Sequence, residues 1–453
     1  MINDMKKFIV SLIIGLAILL LRPLGMTLQQ SAILAITLLV IIWWAAGIIP
    51  RTWASWFLLG AYLIFSGAPV KTIFMFPLSA NFLMIIFSFL FSQGISNSKL
   101  ADKLLTPLLI KTCSSGLRLM LMIILLNFIM VFIIPQPFSR IILLSGIFKA
   151  FFDKMELKEE QRSVWFLALY LSSVIINMSM IRGDIILNSS LLSMAGVVIT
   201  EMTWIQYMLL PSALYLLVAL TVFCLLNRKA IKDTVLNHAT ETAPEKPKLT
   251  GTEKRNLAFI AAVIILWALE SIHGISGIVI VIIATAIMFL LRLLKTPDFK
   301  SINVGLIIFL TGAFSIGGTL RASGVADIMF TAFATIFPNT FSLYYIFLIL
   351  ICAMVLHMLL GSNVTTMSIV VPGLMSVCAG MVSNEILIFT ILIAICGHFV
   401  LPFHHVILLL GEGSGCYSSK LLFRFGMVLT VITIASLFVI FLPWWSFRGF
   451  IQV

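Results

Sequence analysis

Residues 360–372 read LGSNVTTMSIVVP, a polar run between two long apolar stretches. Hydroxyl and carboxamide groups at this density are costly in lipid unless they bond to one another, to backbone groups, to water or to an ion. Gly361 before the run and Pro372 after it predict a hairpin tip or a broken helix rather than a continuous span. The alternative is a seam between packed helices, because Ser and Thr also hydrogen-bond between membrane helices.

The composition predicts an all-α polytopic membrane protein. Hydrophobic residues make up 61% of the 453 residues and charged residues only 10%. Many segments approach the roughly 20 apolar residues that a helix needs to cross a bilayer, and they lack the alternation typical of β-barrel strands. The formal net charge of +12 comes from Lys and Arg in short polar breaks. Such positions are typical of cytoplasmic loops and do not indicate a nucleic-acid partner.

The N-terminal segment is predicted to be an uncleaved first helix. Lys6 and Lys7 precede an apolar run that ends at Arg22-Pro23 without a small-residue cleavage site. We therefore expect a multi-pass protein of a cell membrane, with the bacterial cytoplasmic membrane as its location and the N-terminus in the cytoplasm. The six cysteines form no Cys-x-x-Cys pair, so neither a disulfide framework nor a zinc site is indicated.

One long hydrophilic segment divides the chain into two halves. Residues 227–256 contain two prolines among Lys, Glu and Thr, and they are predicted to be a cytoplasmic linker. The first repeat is then expected at 1–226 and the second at 257–453.

The two halves carry polar interruptions at matching positions. The sequences SKLAD at 98–102 and SGVAD at 323–327 each follow an apolar segment, and a polar island lies about the same distance beyond each of them. A second island then occurs in each half, at 182–184 and at 403–405. Paired interruptions of this kind predict a transporter with structural repeats and a binding site near the membrane midplane.

At these residues the chain resembles the divalent anion:sodium symporter family of the ion transporter superfamily. The motifs that carry the resemblance are Gln29-Gln30, Ile42-Trp43-Trp44, Ile49-Pro50, Gly361 to Thr366, Val400-Leu401-Pro402, Gly411 to Ser419 and Phe425-Gly426. The resemblance covers nearly the whole chain. It implies two inverted repeats, each with a re-entrant hairpin and a broken helix whose tips enclose the anion. It also implies a scaffold domain, a homodimer and an elevator-type movement.

The chain departs from the family at the motifs that hold sodium. Members usually carry Ser-Asn-Thr at both hairpin tips, but the first tip here reads Pro137-Phe138-Ser139. Members usually carry Thr-Pro-Pro in both broken helices, but Arg182-Gly183-Asp184 and Phe403-His404-His405 stand there instead. The resemblance leaves Ser362 and Asn363 as candidate sodium contacts. It implies no other cofactor, and it leaves sodium, proton and exchange coupling open.

Candidate substrate-binding residues come from both tips and from the second break. Donors at the second tip suit a carboxylate or a sulfate, the arginine after the first tip is a fixed cation, and histidine titrates near neutral pH. The alternatives are a snorkelling Arg140 at the membrane surface and structural or proton-coupling histidines. The candidates are Phe138, Ser139, Arg140, Ser362, Asn363, Thr365, Thr366, His404 and His405. Arg182 and Asp184 are expected to neutralise each other or to act as a gate.

These patterns predict a secondary active transporter of a small anion. A di- or tricarboxylate is the first expectation and a sulfate-like inorganic anion the alternative. The rivals are an intramembrane enzyme that uses His404, His405 and Glu412 on a lipid-linked substrate, and an anion channel. The chain has no Gly-x-x-x-x-Gly-Lys-Ser/Thr loop for ATP hydrolysis.

Overall fold

The described part of the chain consists of helices and their connections. The structure is a computed structural model that describes residues 2–100, 103, 106–134, 137–232, 234, 249–302, 304–361 and 363–451. The first-half helices are α1 Ile2–Leu21, α2 Leu28–Ala46, α3 Arg51–Phe65, α4 Val70–Ile73, α5 Ala80–Ser98, α6 Thr106–Thr112, α7 Gly116–Ile133, α8 Pro137–Lys154, α9 Glu159–Asn177, α10 Ile185–Ala195 and α11 Glu201–Leu226. The all-α prediction is confirmed for these residues.

The second half is also helical in its described residues. Its elements are α12 Arg228–Lys232, α13 Gly251–Ala268, α14 Glu270–His273, α15 Gly277–Leu290, α16 Val304–Ala322, α17 Val325–Ala334, α18 Leu343–Leu360, α19 Asn363–Val377, α20 Asn384–Cys396, α21 Val406–Gly413, α22 Ser419–Ser436 and α23 Leu442–Phe447, with a π-helical turn at Leu437–Phe441. The predicted linker 227–256 thus contains α12 and the start of α13, where Thr250 and Glu253 form a capping box. Residues 233 and 235–248 of that linker, and Asp102 of the repeated pentapeptide, lie outside the described residues.

The same order of elements recurs in both halves. A hairpin, α7–α8, is followed by the interrupted helix α9–α10, and α18–α19 is followed by α20–α21. The two hairpins also begin alike. Ser115 caps α7 by accepting from the backbone N–H of Arg118, and Ser342 caps α18 by accepting from that of Tyr345.

Helices of each half pack against helices of the other half. Helix α5 packs against α15 of the second half, and α16, which stands at the matching place in the element order, packs against α3 of the first half. The break of α9–α10 likewise meets the second hairpin, because α10 packs against α19, while α21 packs against α9 and α8. This reciprocal packing brings both hairpin tips and both breaks into the interior.

The interruptions also shorten the apolar helices. Of the described helices, Glu201–Leu226, Leu343–Leu360 and the continuous stretch Ser419–Phe447 are long and apolar enough to cross a membrane. Helix α20 is equally apolar but ends at Cys396 after 13 residues, because the chain leaves the helical conformation at the second break. A broken span of this kind is tolerated only where its free backbone groups are buried in protein or line a cavity.

Candidate functional site

Arg140 joins the first hairpin tip to the first helix break. Its side chain, in the first turn of α8, is completely buried, with 0% exposure. Nη1 donates to the carbonyl oxygen of Ile134 at 2.9 Å, and Nη2 donates to Oδ1 of Asn177 and to the carbonyl oxygen of Gly183, each at 2.5 Å. Full burial removes the snorkelling alternative. The guanidinium lies between the tip and the break, and its Nη groups are engaged by protein oxygens.

The first break is closed by side chains from the helix that follows it. Nδ2 of Asn188 donates to the carbonyl oxygens of Asn177 and Met180, each at 3.0 Å. Gly183 fits here because a Cβ atom would lie 2.4 Å from the carbonyl oxygen of Asn177. The interruption predicted at 182–184 is therefore a compact 3-10 turn, Ile181–Asp184.

The structure pairs Arg182 and Asp184 differently from the prediction. Oδ1 of Asp184 accepts from the backbone N–H of Leu187 at 3.1 Å, and this buried carboxylate interacts electrostatically with Arg140. Nε of Arg182 lies 3.7 Å from Oε1 of Glu201, and the Arg182 side chain is 48% exposed. The physical reason is that capping α10 turns the carboxylate inward, toward the buried guanidinium, while Arg182 remains at the surface.

The second hairpin tip turns at a glycine. Gly361 ends α18 with φ +71°, a conformation that favours glycine. Helix α19 then begins at Asn363, whose Nδ2 lies 3.6 Å from Sγ of Cys396 at the end of α20. Pro372, which the sequence suggested as an end of the interrupted segment, lies inside α19. Prolines are tolerated within membrane helices when neighbours satisfy the freed carbonyl groups.

Two polar groups of this tip are buried without a partner. Oδ1 of Asn363 and Oγ1 of Thr366 have no hydrogen-bond partner among the described residues, and the side chains are 5% and 0% exposed. Buried polar atoms usually have a partner, so these two atoms are available to a ligand or an ion. Ser362 and the side chain of Thr365 lie outside the described residues. At the first tip, Phe138 and Ser139 are buried in the first turn of α8.

The second break is organised by its two histidines. Nδ1 of His404 accepts from the backbone N–H groups of Val400 and Leu401, at 3.1 and 3.2 Å. Nδ1 of His405 accepts from the N–H of Ile407 at 3.3 Å and caps α21. The two adjacent side chains thus have different roles in holding the break.

Three histidines form a buried cluster at this break. The ring centroids of His357, His398 and His404 lie 5.3–6.3 Å apart. This cluster is not evident from the sequence, because His357 and His398 stand alone in apolar surroundings. The available signal was that His357 lies one helical turn before Gly361, which places it at the tip.

The hydrogen bonds of these rings determine where their protons lie in the neutral state. His357 donates through Nε2 to the carbonyl oxygen of His404 at 2.8 Å, so its Nδ1 carries a lone pair. Thr430 donates its own proton to Gly426 and accepts from Nδ1 of His398 at 2.9 Å, so Nε2 of His398 carries a lone pair. His404 accepts at Nδ1 and therefore holds its proton on Nε2. None of these three remaining nitrogens has a partner among the described residues.

The four interrupted segments meet in the interior. Arg140 at the first tip interacts with Asp184 at the first break, and α10, the helix that Asp184 caps, packs against α19 and α20 of the second half. Cys396 at the end of α20 contacts Asn363 at the second tip, and Asn363 lies beside His357. Helices α8, α10, α19 and α21 all begin at these interruptions, and a helix N-terminus carries a partial positive charge and free N–H groups. The meeting point can therefore stabilise negative charge.

A basic cavity of about 460 Å³ lies beside the second break. Lys7, Arg51 and Lys420 contribute positive charge to its wall, and aromatic rings, including that of Phe403, line another part of it. The Phe403 ring also lies against Gly361, since a Cβ atom there would be 2.8 Å from Cδ2 of Phe403. One aromatic ring thus separates this cavity from the second hairpin tip.

An ion pair beside the cavity joins α3 to α21. Arg51 pairs with the carboxylate of Glu412 and donates from Nη2 to Oγ of Ser419 at 2.7 Å. Oγ of Ser419 donates to the other carboxylate oxygen of Glu412 at 2.6 Å. Glu412 is therefore held by two partners. Among the described residues, no group of three or more His, Cys, Asp and Glu side chains is arranged to hold a metal ion.

Comparisons with known proteins point to a transporter family. The family model described as the sodium:sulfate symporter transmembrane region matches residues 3–451. An uncharacterized transporter of Methanocaldococcus jannaschii is 27% identical over 157 residues, which are 35% of this chain and 36% of that protein. The match to this curated relative thus spans about a third of its length.

Proposed function

We propose that this chain, which belongs to the sodium:sulfate symporter family, is a secondary active transporter of a small anion. The observation that carries the proposal is the meeting of four helix N-termini at two hairpin tips and two breaks inside an apolar protein. Partial positive charges and free N–H groups at these ends favour an anion. Helices interrupted at mid-membrane are also the usual place for a transporter's substrate.

The second half supplies the polar groups that we propose for direct contact with the substrate. Thr366 has an unpartnered hydroxyl, and His404 has an unpartnered Nε2–H. Asn363 contacts Cys396 at the second break and lies beside His357. Such donors suit a carboxylate or a sulfate. Phe138, Ser139 and Arg140 are the contribution that we propose from the first half.

We propose a di- or tricarboxylate as the substrate, with a sulfate-like anion as the alternative. The helix N-termini come in two sets, α8 with α10 and α19 with α21, one from each half. Two separate sets suit an anion with two charged ends better than a compact tetrahedral ion.

Uptake into proteoliposomes tests this proposal. Labelled succinate, citrate and sulfate are offered separately, and we expect saturable uptake of at least one of the carboxylates. Asn363→Ala should lower that uptake at least about tenfold, the loss expected when a hydrogen bond to a charged group is removed. The matched control is Thr331→Ala, because that hydroxyl is exposed and bonds only to its own helix at Asp327. If no anion shows saturable flux, the proposal is wrong. Single-channel currents well above carrier rates would favour a channel.

The coupling ion is proposed separately from the substrate. Family membership favours sodium, and the unpartnered Oδ1 of Asn363 is the kind of oxygen that can contact it. Proton coupling is one alternative, because histidines lie at the second break. Anion exchange is another, and it needs no coupling ion. Initial uptake rates at a fixed pH, with sodium replaced by potassium, distinguish these cases. A strict sodium requirement would remove the proton alternative.

The elevator-type movement, the inverted relation of the repeats and the homodimer are proposed from family membership. The reciprocal packing of α3 on α16 and of α5 on α15 supports a structural correspondence of the halves, and α5 also packs on α8 of the first hairpin. Light scattering of the purified protein tests the dimer. The enzyme alternative loses support because Glu412 is held by Arg51 and Ser419. Turnover of a lipid-linked substrate that disappears in His405→Ala, with transport intact, would restore it.

A further inference from the structure

The oxygen atoms around Arg140 form a cation site. Two are backbone carbonyls, from Ile134 after α7 and from Gly183 in the first break, and the third is the amide oxygen of Asn177 at the end of α9. Uncharged oxygens from unwound backbone and helix C-terminal ends are the groups with which transporters of this architecture hold a coupling cation. In this chain the positive charge among them belongs to the protein itself.

We propose that the guanidinium of Arg140 is a permanent cation that occupies the oxygen site of the first half, so that this site takes no transported sodium. The inference deepens the proposed transport function and rests on it, because it concerns which ion drives the flux. The residues around the first tip and break do not fit a sodium ion, because the three oxygens already accept N–H groups. The side chain is also fully buried, so it cannot withdraw to solvent.

The local charge is already balanced. Asp184 is the buried carboxylate that interacts with Arg140, and one of its oxygens also caps α10. A sodium ion added beside the guanidinium would bring a second positive charge to a buried place that has this one carboxylate as its balance. Repulsion between like charges is strong where water is excluded.

The two corresponding positions of the second half carry no arginine or lysine. Arg140 is the fourth residue of α8, and the fourth residue of α19 is Thr366. Asn177 is the last residue of α9, and the last residue of α20 is Cys396. Thr366 cannot supply a cation, and its hydroxyl is without a described partner. We therefore place any transported sodium in the second half, with at most one ion per chain.

Sodium-dependent thermal stability of purified full-length variants tests the inference. In Arg140→Ala the three oxygens lose their cation, and we expect sodium to bind there and to raise the Tm by about 3 °C or more over potassium at equal ionic strength. Arg140→Lys keeps a positive charge, so its sodium response should match that of the wild type. Arg182→Ala is the control, since it removes a nearby arginine that is ion-paired with Glu201 instead.

The same sodium response in Arg140→Ala and in the wild type would overturn the inference. If Arg140→Ala does not fold, the wild type still provides a test through the sodium dependence of its anion uptake. We expect a Hill coefficient no greater than 1, and a value clearly above 1 would overturn the inference. Thermal stability does not require transport, so a failure of the proposed function, seen as absent uptake, is distinguishable from a failure of this inference.

Discussion

Gly426 provides a direct test of how the second break is supported. This residue of α22 lies against the backbone of the break, where a Cβ atom would be 2.3 Å from the carbonyl oxygen of Phe399 and 2.9 Å from Cα of Val400. The N–H of Val400 donates to Nδ1 of His404. Gly426→Ala should therefore displace the backbone of Phe399 and Val400, which positions His404.

The magnitude follows from these distances. An ordinary contact of about 3.5 Å requires the two backbones to separate by about 1 Å, and over-packing of this kind costs about 1–3 kcal/mol of unfolding free energy. The control is Gly60→Ala in α3, since no heavy atom lies within 4 Å of a Cβ at that position. There the substitution should stabilise the helix by about 0.5–1 kcal/mol.

Thermal unfolding and anion uptake of the two variants are measured side by side. We expect Gly426→Ala to have a lower Tm and a lower maximal uptake rate, and Gly60→Ala to keep wild-type uptake with an equal or higher Tm. If Gly426→Ala unfolds and transports like the wild type, the close packing of α22 on the second break does not support the site.

Three further predictions concern the other half, the ion pair and the cavity. Gly183→Ala would place a Cβ 2.4 Å from the carbonyl oxygen of Asn177 and should lower the free energy of unfolding by about 1–3 kcal/mol. Thermal unfolding measures this, with Gly146→Ala as the control, because the nearest atom to a Cβ there is 3.6 Å away. For the pair of Arg51 and Glu412, which are 26% and 10% exposed, a double-mutant cycle of the alanine variants should give a coupling free energy of about 1 kcal/mol in thermal or denaturant unfolding. Lys420→Gln should raise the KM of anion uptake about threefold at low salt and less at high salt, because exposed charges are screened; an equal effect at both salt concentrations would contradict a steering role.

The positions of the interruptions could be predicted from the sequence, but the contacts that hold them could not. Polar islands among apolar runs placed the turn of Gly183, the tip at Gly361 and the break at His404 correctly along the chain. A single arginine in an apolar run, in contrast, is compatible with snorkelling or with burial. Arg140 is buried because it donates a hydrogen bond to the carbonyl oxygen of Gly183, 43 residues away. A sequence pattern carries no information about where backbone oxygens lie.

The histidine cluster, too, could not be predicted from the sequence. His357 is isolated in the sequence, where an apolar run surrounds it. It reaches His404 because the turn at Gly361 brings the end of α18 against the second break. Side chains separated by 47 residues become neighbours through the packing of a tip against a break, and periodicity within one helix carries no information about such a pair.

The two halves differ in how firmly their tips are attached to their breaks, and this difference bears on which tip can move. In the first half, Arg140 makes hydrogen bonds to both elements, and a bond that involves a charged group contributes about 1.5–3 kcal/mol. In the second half the contacts are the hydrogen bond from Nε2 of His357 to the carbonyl oxygen of His404 at 2.8 Å and the contact of Nδ2 of Asn363 with the sulfur of Cys396 at 3.6 Å. Neither involves a charged group, and a hydrogen bond between neutral groups contributes only about 0.5–1.5 kcal/mol. Since the weaker attachment also lies next to the basic cavity, behind the ring of Phe403, we expect the second tip to open and close around the substrate while the first tip and its break move as one body.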